Sequence, residues 1–104
     1  MRSHDKFIDQ SKALAGEPRI LILQWLKHPR EHFSHQITGD PALIGVCVTL
    51  ITEKLGMSQP TVSRHLDLLR QAGFLCVKKI GKWAFYSRDE TAIDEYKAWL
   101  IEQV

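Results

Sequence analysis

The segment from Leu55 to Leu66, with the sequence LGMSQPTVSRHL, concentrates polar side chains of the types that bind nucleic acids. They belong to Ser58, Gln59, Thr61, Ser63 and Arg64. Such groups hydrogen-bond phosphate oxygens and base edges in the major groove, and the amides and dipole at a helix N-terminus also favour phosphate. The pattern therefore predicts that the leading end of a helix beginning at Ser58 contacts double-stranded DNA. The alternative is a helical hairpin whose polar side chains only face solvent.

Further basic side chains extend this candidate site. His65 is predicted to lie between the two faces of the helix, where it either contacts phosphate or bridges to the backbone from a half-buried position. Lys78, Lys79 and Lys82 cluster around a hairpin turn and are predicted to contact backbone phosphates or to enter a minor groove. For these lysines the alternative is a solvated hairpin edge that protects against aggregation.

A helix-turn-helix over residues 48–73 is predicted to position these side chains. The first helix carries apolar side chains on one face, and Gly56 ends it and permits the sharp turn. Ser58 is a favourable N-cap for the second helix. Met57 and Val62 are expected to hold the two helices together from inside.

The β-forming residues that follow predict a hairpin over residues 74–88, called the wing below, with Gly81 in its turn. Trp83 is expected to pack at the base of the wing. Cys76 is expected to be a small buried side chain on one of its strands.

Further helices are predicted at both ends of the chain. Residues 5–15 show a helical spacing of apolar side chains, Pro18 can open a second and strongly apolar helix, and Asp89 can cap a last one. Residues 29–45 contain Pro and Gly and predict a long loop, with a short helix at residues 41–44. The expected fold class is mainly α with a small β-hairpin, a winged helix-turn-helix with an additional helix at each end.

The chain of 104 residues carries 14 Lys and Arg against 12 Asp and Glu, a net charge of +2. Its length predicts a single domain, residues 1–104. The charge is uneven, because residues 58–88 contain six basic residues and one acid, whereas residues 89–104 contain one basic residue and five acids. A basic block of this kind favours a polyanion-binding face, although short windows also vary this much by chance.

Composition argues against several other classes of protein. No apolar run approaches the roughly 18 residues that span a bilayer. The N-terminus lacks the apolar stretch of a secretory signal and the chain has only two cysteines, so a cytoplasmic protein is expected. An enzyme is not expected, because the sequence has no recognisable Ser-His-Asp set, paired carboxylates or phosphate-cradling Gly-rich loop.

In combination these motifs resemble the ArsR/SmtB family of small bacterial transcriptional repressors. Residues 55–73 are similar to the family's recognition helix, Ser-Gln-x-Thr-Val-Ser-x-His-Leu, and residues 78–83 with Tyr86 are similar to its basic wing tip. Residues 14–19, LAGEPR, match the opening of the family's second helix. One departure is Thr52, where helix-turn-helix motifs commonly carry Ala.

The resemblance implies a homodimer that binds a short inverted repeat in double-stranded DNA. The residues support dimerisation independently, because the end segments 1–15 and 89–104 carry apolar stripes larger than a domain of this size needs. The side chains predicted at the dimer interface are Phe7, Ile8, Ile93, Tyr96, Trp99 and Leu100. The alternative is that the two end helices simply cover the core of one protomer.

The family's metal-responsive sites are largely missing from this sequence. The family motif Leu-Cys-Val-Cys-Asp-Leu corresponds to residues 46–51, where Cys47 matches the first cysteine and Thr49 replaces the second. Residues 90–104 contain no His for the family's other site. We therefore predict no metal site and no cofactor, and the sequence identifies no small-molecule or metal effector.

Two alternatives for sensing stay open. His28, His32 and His35, with Asp40 and Cys47 nearby, carry ligand types that bind metals, but exposed loop histidines are the favoured interpretation. A disulfide between Cys47 and Cys76 needs Cα atoms within about 7 Å, and a helix start and a wing strand make that proximity doubtful.

The leading prediction is a dimeric, sequence-specific DNA-binding repressor that acts on an inverted repeat. One alternative is a winged-helix module that binds a protein partner or RNA. The other is a repressor that responds to metal or oxidant through Cys47 and the loop histidines.

Overall fold

The computed structural model describes residues 3–104. Its helices are α1 (Ser3–Ala13), α2 (Glu17–Lys27), α3 (Pro29–His32), α4 (Pro41–Ile44), α5 (Val48–Leu55), α6 (Gln59–Gln71) and α7 (Glu90–Gln103). Its strands are β1 (Val46–Cys47), β2 (Leu75–Ile80) and β3 (Trp83–Arg88). This order of elements confirms the predicted fold class, a winged helix-turn-helix with an additional helix at each end. Residues 1 and 2 of the predicted segment 1–15 lie outside the described residues.

The strands form a three-stranded antiparallel sheet in the order β1–β3–β2. Strands β2 and β3 make the predicted hairpin, with Leu75 opposite Arg88 at its base and Ile80 opposite Trp83 at its tip. Trp83 therefore lies beside the turn and is 41% exposed, so the prediction that it packs at the base of the wing is wrong. Strand β1 was not predicted, because a strand of two residues exists only through its pairing with β3.

Gly45 allows β1 to approach β3. Its φ angle is 93°, and a Cβ atom at this position would lie 2.8 Å from the carbonyl oxygen of Tyr86. Glycine alone adopts this backbone conformation readily and leaves room for that carbonyl.

Local sequence fixes the turn of the helix-turn-helix as predicted. Helix α5 ends at Gly56, which has left-handed geometry with φ 68°, and α6 begins after Ser58 with Pro60 in its first turn. Val62 is fully buried between the helices. Met57 is 38% exposed, so its predicted role inside the pair is wrong, because it lies in the turn and not on a helix face.

Residues 29–45 contain more structure than the predicted loop. The short helix α4 was expected, whereas α3 was not. Phe33 is completely buried. The side chain of Gln36 accepts a hydrogen bond from the amide of Cys47 at 2.9 Å and donates one to the carbonyl of Gly45 at 3.1 Å. These contacts hold the segment against the start of β1.

One hydrophobic core joins the helices to the sheet. The apolar side chains that are completely or almost completely buried are Ile22, Phe33, Val46, Ile51, Val62, Leu66, Leu69 and Phe74. Cys76 was expected to be buried but is exposed, because Leu75 and Val77 occupy the inner face of β2 and successive strand residues point to opposite faces. Among the described residues, no helix has the length and apolar character to cross a bilayer.

Candidate nucleic-acid interface

Helix α6 has one apolar face and one polar face. Its buried side chains are Val62, Leu66 and Leu69. Arg64 lies two residues from both Val62 and Leu66, a spacing that places it on the opposite side of the helix, and it is exposed. Ser58, Gln59 and Thr61 are exposed as well, and Ser63 is half-buried. The core thus uses the apolar face of α6 and leaves the predicted polar residues of its leading end at the surface.

Ser58 occupies the N-cap position of α6, but its side chain does not cap a backbone amide. Its hydroxyl donates instead to the hydroxyl oxygen of Thr61 at 2.9 Å. Within the described part of the chain, the first turn of α6 therefore has no side-chain cap hydrogen bond. Its amides remain able to bind an anion such as phosphate.

The wing places its lysines on different faces. Lys78 and Lys79 are neighbours in β2 and both are exposed, but neighbouring strand residues point to opposite sides of the sheet. Lys82 lies in the turn after Gly81, and its Nζ atom is 5.3 Å from the ring centroid of Trp83. A flat surface of a binding partner can therefore contact Lys82 and one of the two strand lysines more easily than it can contact all three lysines at once.

His65 is half-buried and pairs with a side chain from another helix. Its Nδ1 atom lies 2.8 Å from Nη1 of Arg19. A guanidinium group can only donate, so Nδ1 accepts and the ring is neutral with its proton on Nε2. Burial, followed by the positive charges of Arg19 and Arg64, lowers the pKa of His65 below its ordinary value of 6.5. The partner is thus a side chain of α2 and not the backbone, while contact of His65 with DNA stays a prediction.

Two residues that contact α6 or its C-cap were not predicted from the sequence. Gln10 is 1% exposed, and its Nε2 atom donates to the carbonyl oxygen of Ala72 at 2.8 Å. Arg19 joins α2 to His65. Only Gln10 could have been noticed in the sequence. It lies three residues after Phe7 and four before Leu14, a spacing that places this polar residue on the apolar face of α1.

The residues predicted at the dimer interface divide into two groups. Ile93 and Tyr96 are buried within the protomer, and Phe7 stacks on Trp99 with 5.0 Å between ring centroids. The Phe7–Trp99 stack joins α1 to α7 inside one chain, and the burial of Ile93 and Tyr96 is likewise provided by their own protomer. The remaining two, Ile8 and Leu100, are 44% and 37% exposed.

An apolar groove runs beside Leu100, between α2 and α7. It has a volume of about 350 Å³, and its apolar lining includes Ile20, Leu23, Ile93 and Leu100. Ile101, in the last turn of α7, is 80% exposed. The outer side of α7 thus offers a further apolar surface that its own protomer does not cover.

The structure does not assemble the residues considered for sensing. Cys47 is buried, Cys76 is exposed, and both are free thiols. No group of three or more His, Cys, Asp or Glu side chains within residues 3–104 is placed to hold a metal ion. Asp40 instead binds Arg30, with 2.7 Å between a carboxylate oxygen and Nη2. This ion pair and the amide of Ala42 lower the pKa of Asp40.

Comparison with known proteins identifies the family. Residues 46–76 match the model of the bacterial regulatory protein arsR family. The chain is 44% identical over 97 residues to the uncharacterized HTH-type transcriptional regulator YbzH of Bacillus subtilis, covering 93% of this chain and 97% of that one. It is 49% identical over 92 residues to the arsenical resistance operon repressor of Escherichia coli, covering 88% of this chain and 66% of that one.

The fold agrees with this assignment. The solution structure of a homodimeric winged helix-turn-helix DNA-binding domain from Mycobacterium bovis, a possible ArsR-family transcriptional regulator, matches with a TM-score of 0.66 and 22% identity, covering 95% of this chain and 79% of that one. The family and the fold are those of transcriptional regulators. The chain belongs to the ArsR family and is a transcriptional regulator with a winged helix-turn-helix DNA-binding domain.

Proposed function

We propose that the protein is a cytoplasmic, non-enzymatic repressor that binds an inverted-repeat operator as a homodimer. One observation carries the proposal. The leading end of α6 exposes Gln59, Thr61 and Arg64, while the opposite face of the same helix is buried in the core. A helix held in this way can enter a major groove without disturbing the fold that supports it.

On DNA, the two copies of α6 enter successive major grooves on one side of the duplex. The dimer axis then coincides with the centre of the inverted repeat, and the half-sites lie about one helical turn apart. Gln59, Thr61, Ser63 and Arg64 face base edges and phosphates. The lysines of the wing, with Lys82 at its tip, neutralise the backbone beside each half-site.

Dimerisation is proposed to use the outer sides of α1 and α7. Ile8, Leu100 and Ile101 are exposed there, and an apolar groove adjoins Leu100. Burial of such side chains in an interface is favourable at about 25 cal/mol per Å². The structural relative from Mycobacterium bovis is described as homodimeric, and the relative from Escherichia coli is named a repressor. Both descriptions support the proposal.

Selection from a library of duplexes with random inverted repeats tests the DNA-binding part. We expect one family of palindromic sequences to be enriched, and fluorescence anisotropy to show affinity for it that falls steeply with salt. A scrambled duplex of equal length is the control. Equal affinity for both duplexes, or affinity that does not change with salt, would contradict the proposal.

Sedimentation velocity tests the dimer. Leu100→Glu places a charge on the proposed interface and is expected to shift the protein towards monomer and to abolish binding to the selected duplex. Leu43→Glu is the matched control, because Leu43 is 75% exposed and belongs to α4, which is not one of the helices proposed for the interface. A wild-type monomer at micromolar concentration, or a Leu100→Glu protein that still dimerises, would contradict the proposal.

A further inference from the structure

Arg19 connects the junction of α1 and α2 to the middle of α6. Its guanidinium makes three hydrogen bonds, each to a different group. Nε donates to the carbonyl oxygen of Ala13 at 2.7 Å, Nη2 donates to the carbonyl oxygen of Ala15, and Nη1 donates to Nδ1 of His65 at 2.8 Å. One side chain therefore satisfies carbonyl groups at the end of α1 and just after it, and also reaches α6.

The turn between α1 and α2 leaves room for this guanidinium. Gly16 has a φ angle of 141°, and a Cβ atom there would lie 3.3 Å from Nη2 of Arg19. Such a contact is tight, and the backbone conformation itself disfavours other residues. The local backbone thus places Arg19 against the carbonyl groups of its own turn and leaves Nη1 to donate to α6.

A second link holds the far end of α6. Gln10, in α1, is 1% exposed and donates from Nε2 to the carbonyl oxygen of Ala72 at 2.8 Å. Ala72 is the C-cap of α6 and lies seven residues, about two helical turns, beyond His65. Two hydrogen bonds this far apart fix both the position and the rotation of α6 relative to α1 and α2.

Helix α1 is in turn joined to α7. Phe7 stacks on Trp99, and the hydroxyl groups of Ser11 and Tyr96 lie 2.8 Å apart. Helix α1, one of the two helices proposed above to form the dimer, therefore also holds α6 through Gln10. A change in their packing can reach the DNA-reading helix through Arg19 and Gln10.

We propose that Arg19 is a positioning residue for DNA recognition, acting through neutral His65 to hold α6 at the orientation that DNA binding requires. The inference rests on the proposed function, because it assumes that α6 reads the operator. The charged groups that face His65 are Arg19, from α2, and Arg64, on α6 itself, and both are cations. Protonation of Nδ1 removes the acceptor and sets a third positive charge beside them, so acid breaks the link.

Substitution of Arg19 tests the positioning role. Arg19→Gln is expected to weaken binding to the selected inverted-repeat duplex by at least about tenfold, because the charge-assisted hydrogen bond to His65 is lost in both protomers of the proposed dimer. Binding to the scrambled duplex and sedimentation as a dimer should stay unchanged. Arg30→Gln is the matched control, because Arg30 is exposed and pairs with Asp40 outside α6. Equal affinities of Arg19→Gln and wild type for the selected duplex would overturn the inference.

The pH profile separates positioning from general stabilisation. Because the pKa of His65 is lowered below 6.5, wild-type affinity for the selected duplex is expected to stay constant from about pH 8 to about pH 6.5 and to fall at lower pH, as His65 gains a proton. His65→Gln should show a flat profile, because its side-chain carbonyl accepts from Arg19 at every pH. Three results would overturn the inference. Wild-type affinity could be independent of pH, or it could rise at low pH, as a contact between protonated His65 and phosphate would make it. The third result is a fall in affinity at low pH that is equally large in His65→Gln.

A measurement without DNA tests the link between Arg19 and α6 even if the duplex library yields no preferred sequence. Amide hydrogen exchange of Arg19→Gln should be faster than wild type in α6 around His65, while the amides of α7 keep wild-type rates. Unchanged exchange in α6 would refute the link itself. Faster exchange without any DNA binding would refute the proposed function and with it the role of Arg19 in reading DNA.

Discussion

Arg64 is the residue whose removal tests base recognition most directly. It is exposed on the side of α6 opposite the buried Val62 and Leu66. Arg64→Ala therefore removes one guanidinium from the surface without opening a cavity. Arg70→Ala is a matched control, because Arg70 lies in the last turn of the same helix, carries the same charge and pairs with the exposed Asp67 at 3.5 Å.

The expected magnitude follows from the proposed dimer. An arginine that reads a base contributes about 1–3 kcal/mol, and the substitution removes one from each half-site, so the loss is about 2–6 kcal/mol. This corresponds to at least about 30-fold weaker binding to the selected duplex. Arg70→Ala should change affinity much less, because Arg70 is about three turns away from the leading end of α6.

Fluorescence anisotropy measures these effects on two duplexes at several salt concentrations. Direct base recognition predicts that Arg64→Ala loses affinity for the selected duplex and keeps its affinity for the scrambled one. It also predicts a nearly unchanged salt dependence, whereas each lost phosphate contact lowers the slope of log K against log salt by about 0.9.

Two results would refute this reasoning. Equal losses in Arg64→Ala and Arg70→Ala would mean that only the charge of α6 matters and not the position of the guanidinium. An equal loss on both duplexes, with a shallower salt dependence, would assign Arg64 to the phosphate backbone.

Two predictions concern stability, and chemical denaturation measures both. Gly45→Ala should destabilise the fold by about 1–3 kcal/mol, because a Cβ atom would lie 2.8 Å from the carbonyl oxygen of Tyr86. Gly81→Ala, in an open turn, should cost clearly less, and equal effects would contradict the steric argument. Phe33→Ala should cost about 3–5 kcal/mol because the ring is completely buried. Ile37→Ala should cost little, since Ile37 is 97% exposed, and a small loss in Phe33→Ala would show that residues 29–45 contribute little to the core.

The helix-turn-helix could be predicted because its signals are local. Gly56 adopts the left-handed conformation that ends α5, and the spacing of Val62, Leu66 and Leu69 places all three in the core. Since one face of α6 is fixed by this spacing, the exposure of Arg64 on the other face follows directly. The turn of the wing at Gly81 and the N-cap of α7 by Asp89 could be predicted for the same reason, because each depends on neighbouring residues.

Predictions that depended on the phase of a strand or on the exact place of a side chain failed. Cys76 is one residue out of phase with the buried face of β2, and Trp83 lies at the tip of the wing and not at its base. For Cys76 the alternating pattern was compatible with either face until the pairing of β2 with β3 was known. Trp83 follows Gly81 by two residues, so its place at the tip comes from the turn and not from strand alternation.

The sequence by itself determined the two helices, their turn, the hairpin and the polar face of α6, because each depends on residues a few positions apart. Only the tertiary structure decided which groups hold that face in place. Gln10 reaches Ala72 across 62 residues, Arg19 reaches His65 across 46, and β1 exists only beside β3. Such contacts need the whole chain to be folded, since hydrogen bonds between distant residues leave no periodic pattern in the sequence.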